Sequence, residues 1–261
     1  MNIKQASFLT LSLIILGFIW VLLTTLAFKI LKANPYPVYF PLIETGQFFV
    51  CFLPVIIFAK KRYEVNLKSQ LNTFNPVIFF LLLVVTFLLF ANILPFSQPI
   101  EFVKSISKGK LLYFQYRNLS FDGWILVNFI NVVIFMPVFE EFLFRGIILK
   151  MLLTKYTPIF SIIASSLLFA IYHLNPIGII YLIMYGLLLG WVYYFSKSLY
   201  LPVLLHIIIN LLAFFTKDVN YDLNSKTLIV YVLFVSLSAL LIILIIKHLQ
   251  QKCLGQNEKL E

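Results

Sequence analysis

Residues 124–150 read WILVNFINVVIFMPVFEEFLFRGIILK. The stretch has the apolar make-up of a membrane-spanning helix, yet Glu140, Glu141 and Arg145 lie inside it. A carboxylate or guanidinium at bilayer depth costs about 2.5–3.5 kcal/mol on insertion scales, so such residues are rare there and mark function by default. Glu140 stands sixteen residues beyond Trp124, roughly 24 Å along a helix, which sets it well inside hydrocarbon. Pro137 precedes it by three residues. Proline lacks the N–H that the carbonyl of Val133 would receive, so a kink or local opening is expected beside the acids, with room for water.

The rest of the chain supports a membrane reading. Of 261 residues, 62% are hydrophobic and 11% charged, where a soluble domain carries about twice that charge. Runs of about 18 or more apolar residues recur, each long enough to cross a hydrocarbon core. They do not alternate apolar with polar residues as barrel strands do, so the expected fold is all-α, a polytopic transmembrane helix bundle. Eight spans are expected, over residues 6–28, 38–59, 76–96, 124–153, 158–174, 177–196, 201–216 and 227–246. Asn34-Pro35-Tyr36-Pro37, Asn75-Pro76, Thr157-Pro158 and Asn175-Pro176 punctuate them. No linker or internal repeat divides the chain, so residues 1–261 read as one transmembrane domain with a motif-bearing core over about 120–216. Residues 97–123 mix Lys104, Lys108 and Lys110 with Phe102, Ile106, Leu111, Leu112 and Tyr113, the pattern of an interfacial amphipathic segment.

A net charge of +10 is better read as lysines flanking spans beside anionic headgroups than as a nucleic-acid surface. No nucleic-acid partner is expected; the lipid bilayer is. Eleven basic residues fall on the side of the termini and eight on the other, so both termini are expected in the cytoplasm. Lys supplies seventeen of the twenty basic residues, a composition that suits an A/T-rich bacterial genome. Lys4 precedes a long apolar run with no small-residue cleavage site, so the first span reads as retained. Cys51 and Cys253 form no disulfide framework or CxxC pair. His248, after the last span, reads as a solvated tail residue.

Within the charged helix, Glu141 and Arg145 are four apart with the acid N-terminal, the favourable orientation for a pair on one face. Removing either leaves a buried charge uncompensated. Glu140 points about 100° away and has no local cation. A carboxyl so placed suits general acid–base chemistry. The bland alternative is a polar clamp between helices, which does not require two adjacent acids.

Two histidines lie on other apolar spans. Phe169 and His173 share a face, as do His206 and Asn210, each pair at i and i+4. A single intramembrane histidine is more often a packing residue. Three helices carrying polar residues in register point to one site. Two chemistries fit. Glu140 and His173 can activate a water while His206 and Asn210 donate to a developing oxyanion. Alternatively, His173, His206 and Glu140 can bind zinc, with water in the fourth position. The zinc-protease signature HExxH is absent, so no cofactor is favoured and zinc stays the alternative.

Glu140-Glu141-x-x-x-Arg145, Phe169-x-x-x-His173 and His206-x-x-x-Asn210, in that order on successive apolar helices, resemble the CPBP family, the CAAX-prenyl-protease and bacteriocin-processing endopeptidases also called the Abi family. The resemblance covers about residues 120–216. It implies proteolysis within the membrane. Glu140 with His173 would activate the water, Glu141, Arg145 and Phe169 would support them, and His206 with Asn210 would form the oxyanion hole. Members have been described both as metalloproteases and as glutamate-dependent proteases; the glutamate mechanism is the expectation here. The implied partner is a membrane-associated or lipidated peptide or protein, of CAAX type or a bacteriocin or peptide pheromone, with self-immunity a further role. Oligomeric state is not legible. Two other classes compete. A non-proteolytic scaffold or regulator would use the same polar cluster to hold a partner. A proton-linked transporter would require inverted repeats, and none is seen.

Hydropathy raises one difficulty. It puts His173 near the far end of the fifth span and His206 about 7 Å into the seventh, which are opposite sides of a bilayer. A shared site therefore follows from the resemblance more than from the span boundaries. Gly186-x-x-x-Gly190 reads as close helix packing within the chain. Glu44, Thr45 and Gln47 read as lining a water path or forming an interhelical hydrogen bond.

Overall fold

The structure, a computed structural model, describes residues 1–31, 40–72, 74, 76–93, 123–176, 178–216, 232–242, 244, 245 and 247. The described residues form eight helices and no strand. They are α1 (Ile3–Ile30), α2 (40–62), α3 (Pro76–Ile93), α4 (123–153), α5 (Pro158–Tyr172), α6 (Ile179–Ser196), α7 (Tyr200–Thr216) and α8 (Val232–Ile242). The all-α expectation holds, and the first seven helices begin and end within three residues of the expected spans. The amphipathic segment expected over 97–123 lies outside the described residues apart from Gly123, as do His248, Cys253 and the Asn34–Pro37 turn. Two helices, Ile3–Ile30 and Ile179–Ser196, are long and apolar enough to cross a membrane unbroken. Most of the others are shorter apolar helices, while α2 and α4 are long but interrupted by π segments.

Local chemistry sets the helix ends. Asn2 caps α1: its side chain accepts from Gln5 N at 3.0 Å, and Gln5 Oε1 accepts from Asn2 N at 2.9 Å, a reciprocal capping box. Thr157 caps α5, with Pro158 at the first helical position, where its missing N–H costs nothing. α5 ends at His173, and the next residue, Leu174, takes the left-handed conformation with φ 48°.

Packing divides the chain into two compact units, Met1–Asn72 with Phe114–Asn210, and Thr73–Tyr113 with Leu211–Glu261. In the first unit the core lies among α1, α2, α4 and α5. Leu9 and Leu13 of α1, Phe52 of α2, Phe144, Ile147 and Ile148 of α4 and Phe169 of α5 are fully buried within it. Aromatic contacts fix how α2, α4 and α5 meet. Phe48 stacks on Phe139 at 5.6 Å, while Phe144 meets Phe169 edge-on at 5.4 Å. Trp20 donates its indole N–H to Ile43 O at 2.8 Å, and a Cβ at Gly46 would run into the Trp20 ring, so α1 and α2 can approach there only because that position is glycine. In the second unit, Asn92 of α3 donates to the Ser238 hydroxyl of α8 at 2.6 Å. Outward residues such as Leu22, Leu23, Phe80 and Leu237 are more than half exposed, the arrangement of helices whose apolar flanks face lipid.

Three π segments interrupt the long helices: Phe48–Phe52 in α2, and Asn131–Phe135 and Phe144–Leu149 in α4. The first two lie just ahead of Pro54 and Pro137. A wider turn before proline removes the clash of its ring with the preceding carbonyls. The opening expected at Pro137 therefore takes the form of a π segment, not a simple bend.

Candidate active site

The acids sit on a short α-helical stretch, Met136–Leu143, between the two π segments of α4. Glu140, Glu141 and Arg145 are 1%, 0% and 0% exposed. Arg145 Nη1 donates to Glu141 Oε1 at 2.7 Å, as the four-residue spacing predicts. Its Nη2 donates to the carbonyl of Gly186 on α6 at 3.1 Å, and its guanidinium lies 4.6 Å over the Phe169 ring. Three helices thus hold one cation. The Gly186 carbonyl is reachable because α5 and α6 touch there: a Cβ at Gly186 would lie 2.9 Å from Ser166 Cβ and 3.1 Å from its Cα. Packing within the chain is what Gly186-x-x-x-Gly190 encodes.

Both histidines turn an Nε2 toward Glu140. His173 Nε2 is 3.8 Å from Glu140 Oε1, and His206 Nε2 is 3.7 Å from Oε2. The separation that hydropathy predicts is not observed: His173, at the C-cap of α5, and His206, within α7, both come within 4 Å of Glu140. The Nδ1 atoms are occupied. That of His173 lies 2.8 Å from the carbonyl of Phe169, and that of His206 lies 2.8 Å from Glu141 Oε1. A carbonyl only accepts, and a carboxylate paired with arginine only accepts, so each Nδ1 carries a proton; in the neutral form of either ring the lone pair is then on the Nε2 that faces Glu140. Glu140 Oε1 has no hydrogen-bond partner among the described residues. The two Nε2 atoms stand slightly beyond hydrogen-bond reach of the Glu140 carboxylate, a separation that a bridging water would span.

The same donors are those zinc would use, and each ring's Nδ1 is held as in zinc-ligating histidines. Tetrahedral zinc with bonds of about 2.0–2.1 Å needs ligand atoms roughly 3.4 Å apart, a few tenths of an ångström closer than the 3.7 and 3.8 Å here. No group of three His, Cys, Asp or Glu among the described residues stands in metal-holding geometry.

Asn210 lies one turn beyond His206, but its amide reaches α4: Nδ2 donates to Val132 O at 2.8 Å. The π segment explains this. Met136 N bonds five residues back, to Asn131 O. In that register the next carbonyl, Val132, faces Pro137, which has no N–H. The orphaned carbonyl is therefore that of Val132, not Val133 as the α-helical register predicts, and Asn210 satisfies it. The second π segment also draws side-chain donors, with Ser165 Oγ on Phe144 O at 3.0 Å and Gln70 Nε2 on Gly146 O at 3.1 Å. Neither Ser165 nor Gln70 stands out in the sequence. One is a small residue in an apolar helix and the other lies in a loop turn, and the carbonyls they serve become receptive only in a register that hydropathy does not reveal. Of the polar residues at depth in α2, Thr45 accepts from Asn131 Nδ2 at 2.7 Å.

Fold and site together define a class: an all-helical membrane protein with acids, an arginine and two histidines enclosed among its helices. Within that class, residues 122–212 match the family described as Type II CAAX prenyl endopeptidase Rce1-like, within the CPBP family. The match spans α4 to most of α7, the helices that bear the three motifs, and the resemblance read from those motifs is borne out there. The family is one of membrane-embedded proteases. No curated protein and no solved structure matches the chain.

Proposed function

We propose that the chain is an intramembrane endopeptidase that hydrolyses a peptide bond of a membrane-associated or lipidated peptide, using a water activated by Glu140. The observation that carries this reading is the convergence of His173 Nε2 and His206 Nε2 on the two oxygens of a buried Glu140. Glu140 accepts a proton as the water oxygen attacks the scissile carbonyl, and His173 orients that water through its Nε2 lone pair. When the tetrahedral intermediate collapses, the carbon–nitrogen bond breaks and the proton passes to the leaving amine. His206 presents a lone pair while neutral, so it donates to the oxyanion only as an imidazolium, with Glu141 as the carboxylate partner of that cation. Asn210 contributes by way of Val132, on the helix that carries the acids.

Purified full-length protein should cleave members of a panel of prenylated and leader-type peptides. Glu140→Gln should lower the rate by about 10²–10⁴-fold, the range for loss of a positioned general base, with its thermal unfolding unchanged. Undiminished cleavage by folded Glu140→Gln protein would sink the proposal. A chelator arm separates mechanisms: activity that survives it supports a glutamate protease, and activity lost to it and restored by zinc supports a metal.

A further inference from the structure

Away from the acids, the ends of α4 and α6 meet the turn after α2 around a cavity of about 250 Å³. Its wall includes Gln70, Asn72, Lys150, Tyr193, Tyr194 and Lys197, and no acid lines it among the described residues. Gln70, Asn72 and Tyr193 already spend their polar groups on hydrogen bonds within the protein. Tyr193 donates its hydroxyl to Gln70 Oε1, Gln70 Nε2 serves the carbonyls of Asn66 and Gly146, and Asn72 Nδ2 donates to Lys197 O at 3.0 Å. Ser198 Oγ bonds Asn72 O at 2.6 Å, closing the same floor. What the wall keeps available is two ammonium groups, neither ion-paired among the described residues.

Lys197 is placed rather than trailing. It occupies the left-handed C-cap of α6 with φ 53°, a position where glycine or asparagine is the usual solution. Its Nζ lies 4.2 Å over the Tyr194 ring, so a second wall residue restrains the ammonium. Lys197 is solvent-exposed as a residue, and partial desolvation of its amine by the wall lowers it from the usual lysine range. A hydrogen-bonded polar floor and two cations with no lining carboxylate among the described residues fit a compact polyatomic anion. At the end of a helix bundle in a membrane, phosphate is the anion in greatest supply.

We propose that this cavity binds a phosphate group, of an anionic lipid headgroup or free, between Lys150 and Lys197. The proposal is independent of the reaction at Glu140.

The test uses the full chain in an uncharged detergent, titrated with dihexanoyl-phosphatidylglycerol, dihexanoyl-phosphatidylcholine or inorganic phosphate while the unfolding midpoint is followed. Phosphatidylglycerol should raise the midpoint saturably, and phosphatidylcholine much less. Lys150→Met and Lys197→Asn should each weaken the apparent affinity by about fivefold, and Lys4→Gln should leave it unchanged. Asparagine keeps the left-handed cap while removing the charge, so Lys197→Asn decides the matter even if Lys150→Met fails to fold. Competition by inorganic phosphate would identify a site for free phosphate; its failure to compete would assign the site to the lipid headgroup. An absent or non-saturable shift, or equal affinity in wild type and Lys197→Asn, would overturn the proposal.

Discussion

Glu141 is the residue on which the cluster depends most. A single oxygen, Oε1, receives both Arg145 Nη1 at 2.7 Å and His206 Nδ1 at 2.8 Å. Removing the carboxylate strands a guanidinium that is 0% exposed and frees an imidazole to rotate. Breaking a buried pair by deleting one partner typically costs about 3–5 kcal/mol, whereas replacing both partners by apolar groups of similar shape is often neutral. Glu141→Ala and Arg145→Met should therefore each lower the unfolding temperature sharply. Glu141→Leu combined with Arg145→Met should recover much of that loss while staying inactive. Additive losses in the double variant would mean that the pair is not the source of the cost.

At the scale of elements, α4 is held in register by groups that lie outside it. If Asn210 satisfies a carbonyl orphaned by Pro137, its loss should cost about 0.6–1.7 kcal/mol, the range for interhelical hydrogen bonds in membranes. The same loss should cost less where the orphan no longer exists. Pro137→Ala restores a backbone N–H, so Asn210→Leu should be milder in that background, a coupling that a double-mutant cycle measures. Equal costs in both backgrounds would detach Asn210 from the π segment. The α5–α6 contact makes a second prediction. Gly186→Ala pushes a methyl against the backbone of Ser166, whereas at Gly190 the nearest atom is a side-chain methyl of Ile162 at 3.2 Å. Overpacking costs typically about 1–3 kcal/mol, and Gly186→Ala should fall at the high end, with Gly190→Ala clearly milder. These elements also show what the sequence could disclose. Apolar length and proline punctuation placed the helices, because those signals are local. The i, i+4 pairs gave the Glu141–Arg145 contact and the faces of His173 and His206 for the same reason. The meeting of His173 and His206 at Glu140 depends on how α5 and α7 pack against α4, and Asn210's partner depends on a π register. Both are settled by packing between helices, which single-sequence periodicity does not record.

Across the molecule, burial at the site is graded. Side-chain exposure is 1% at Glu140 and 6% at His206, against 24% at His173. His173 is also the C-cap of α5 and adjoins Leu174, which is 55% exposed in a left-handed conformation. Under the proposed function, a peptide approaching Glu140 would meet the more exposed His173 before the buried His206. That ordering is measurable without a substrate. Diethylpyrocarbonate acylates accessible neutral imidazoles, so in detergent-solubilised protein mapped by mass spectrometry His173 should be modified well before His206. His206 has its Nδ1 bound to Glu141 and an almost fully buried ring, and it should react only as the bundle opens. Glu141→Ala removes that restraint and should bring the rate at His206 toward that at His173. Equal rates at the two histidines in wild type would place the entrance between α4 and α7 instead, and would require the route to Glu140 to be redrawn from that side.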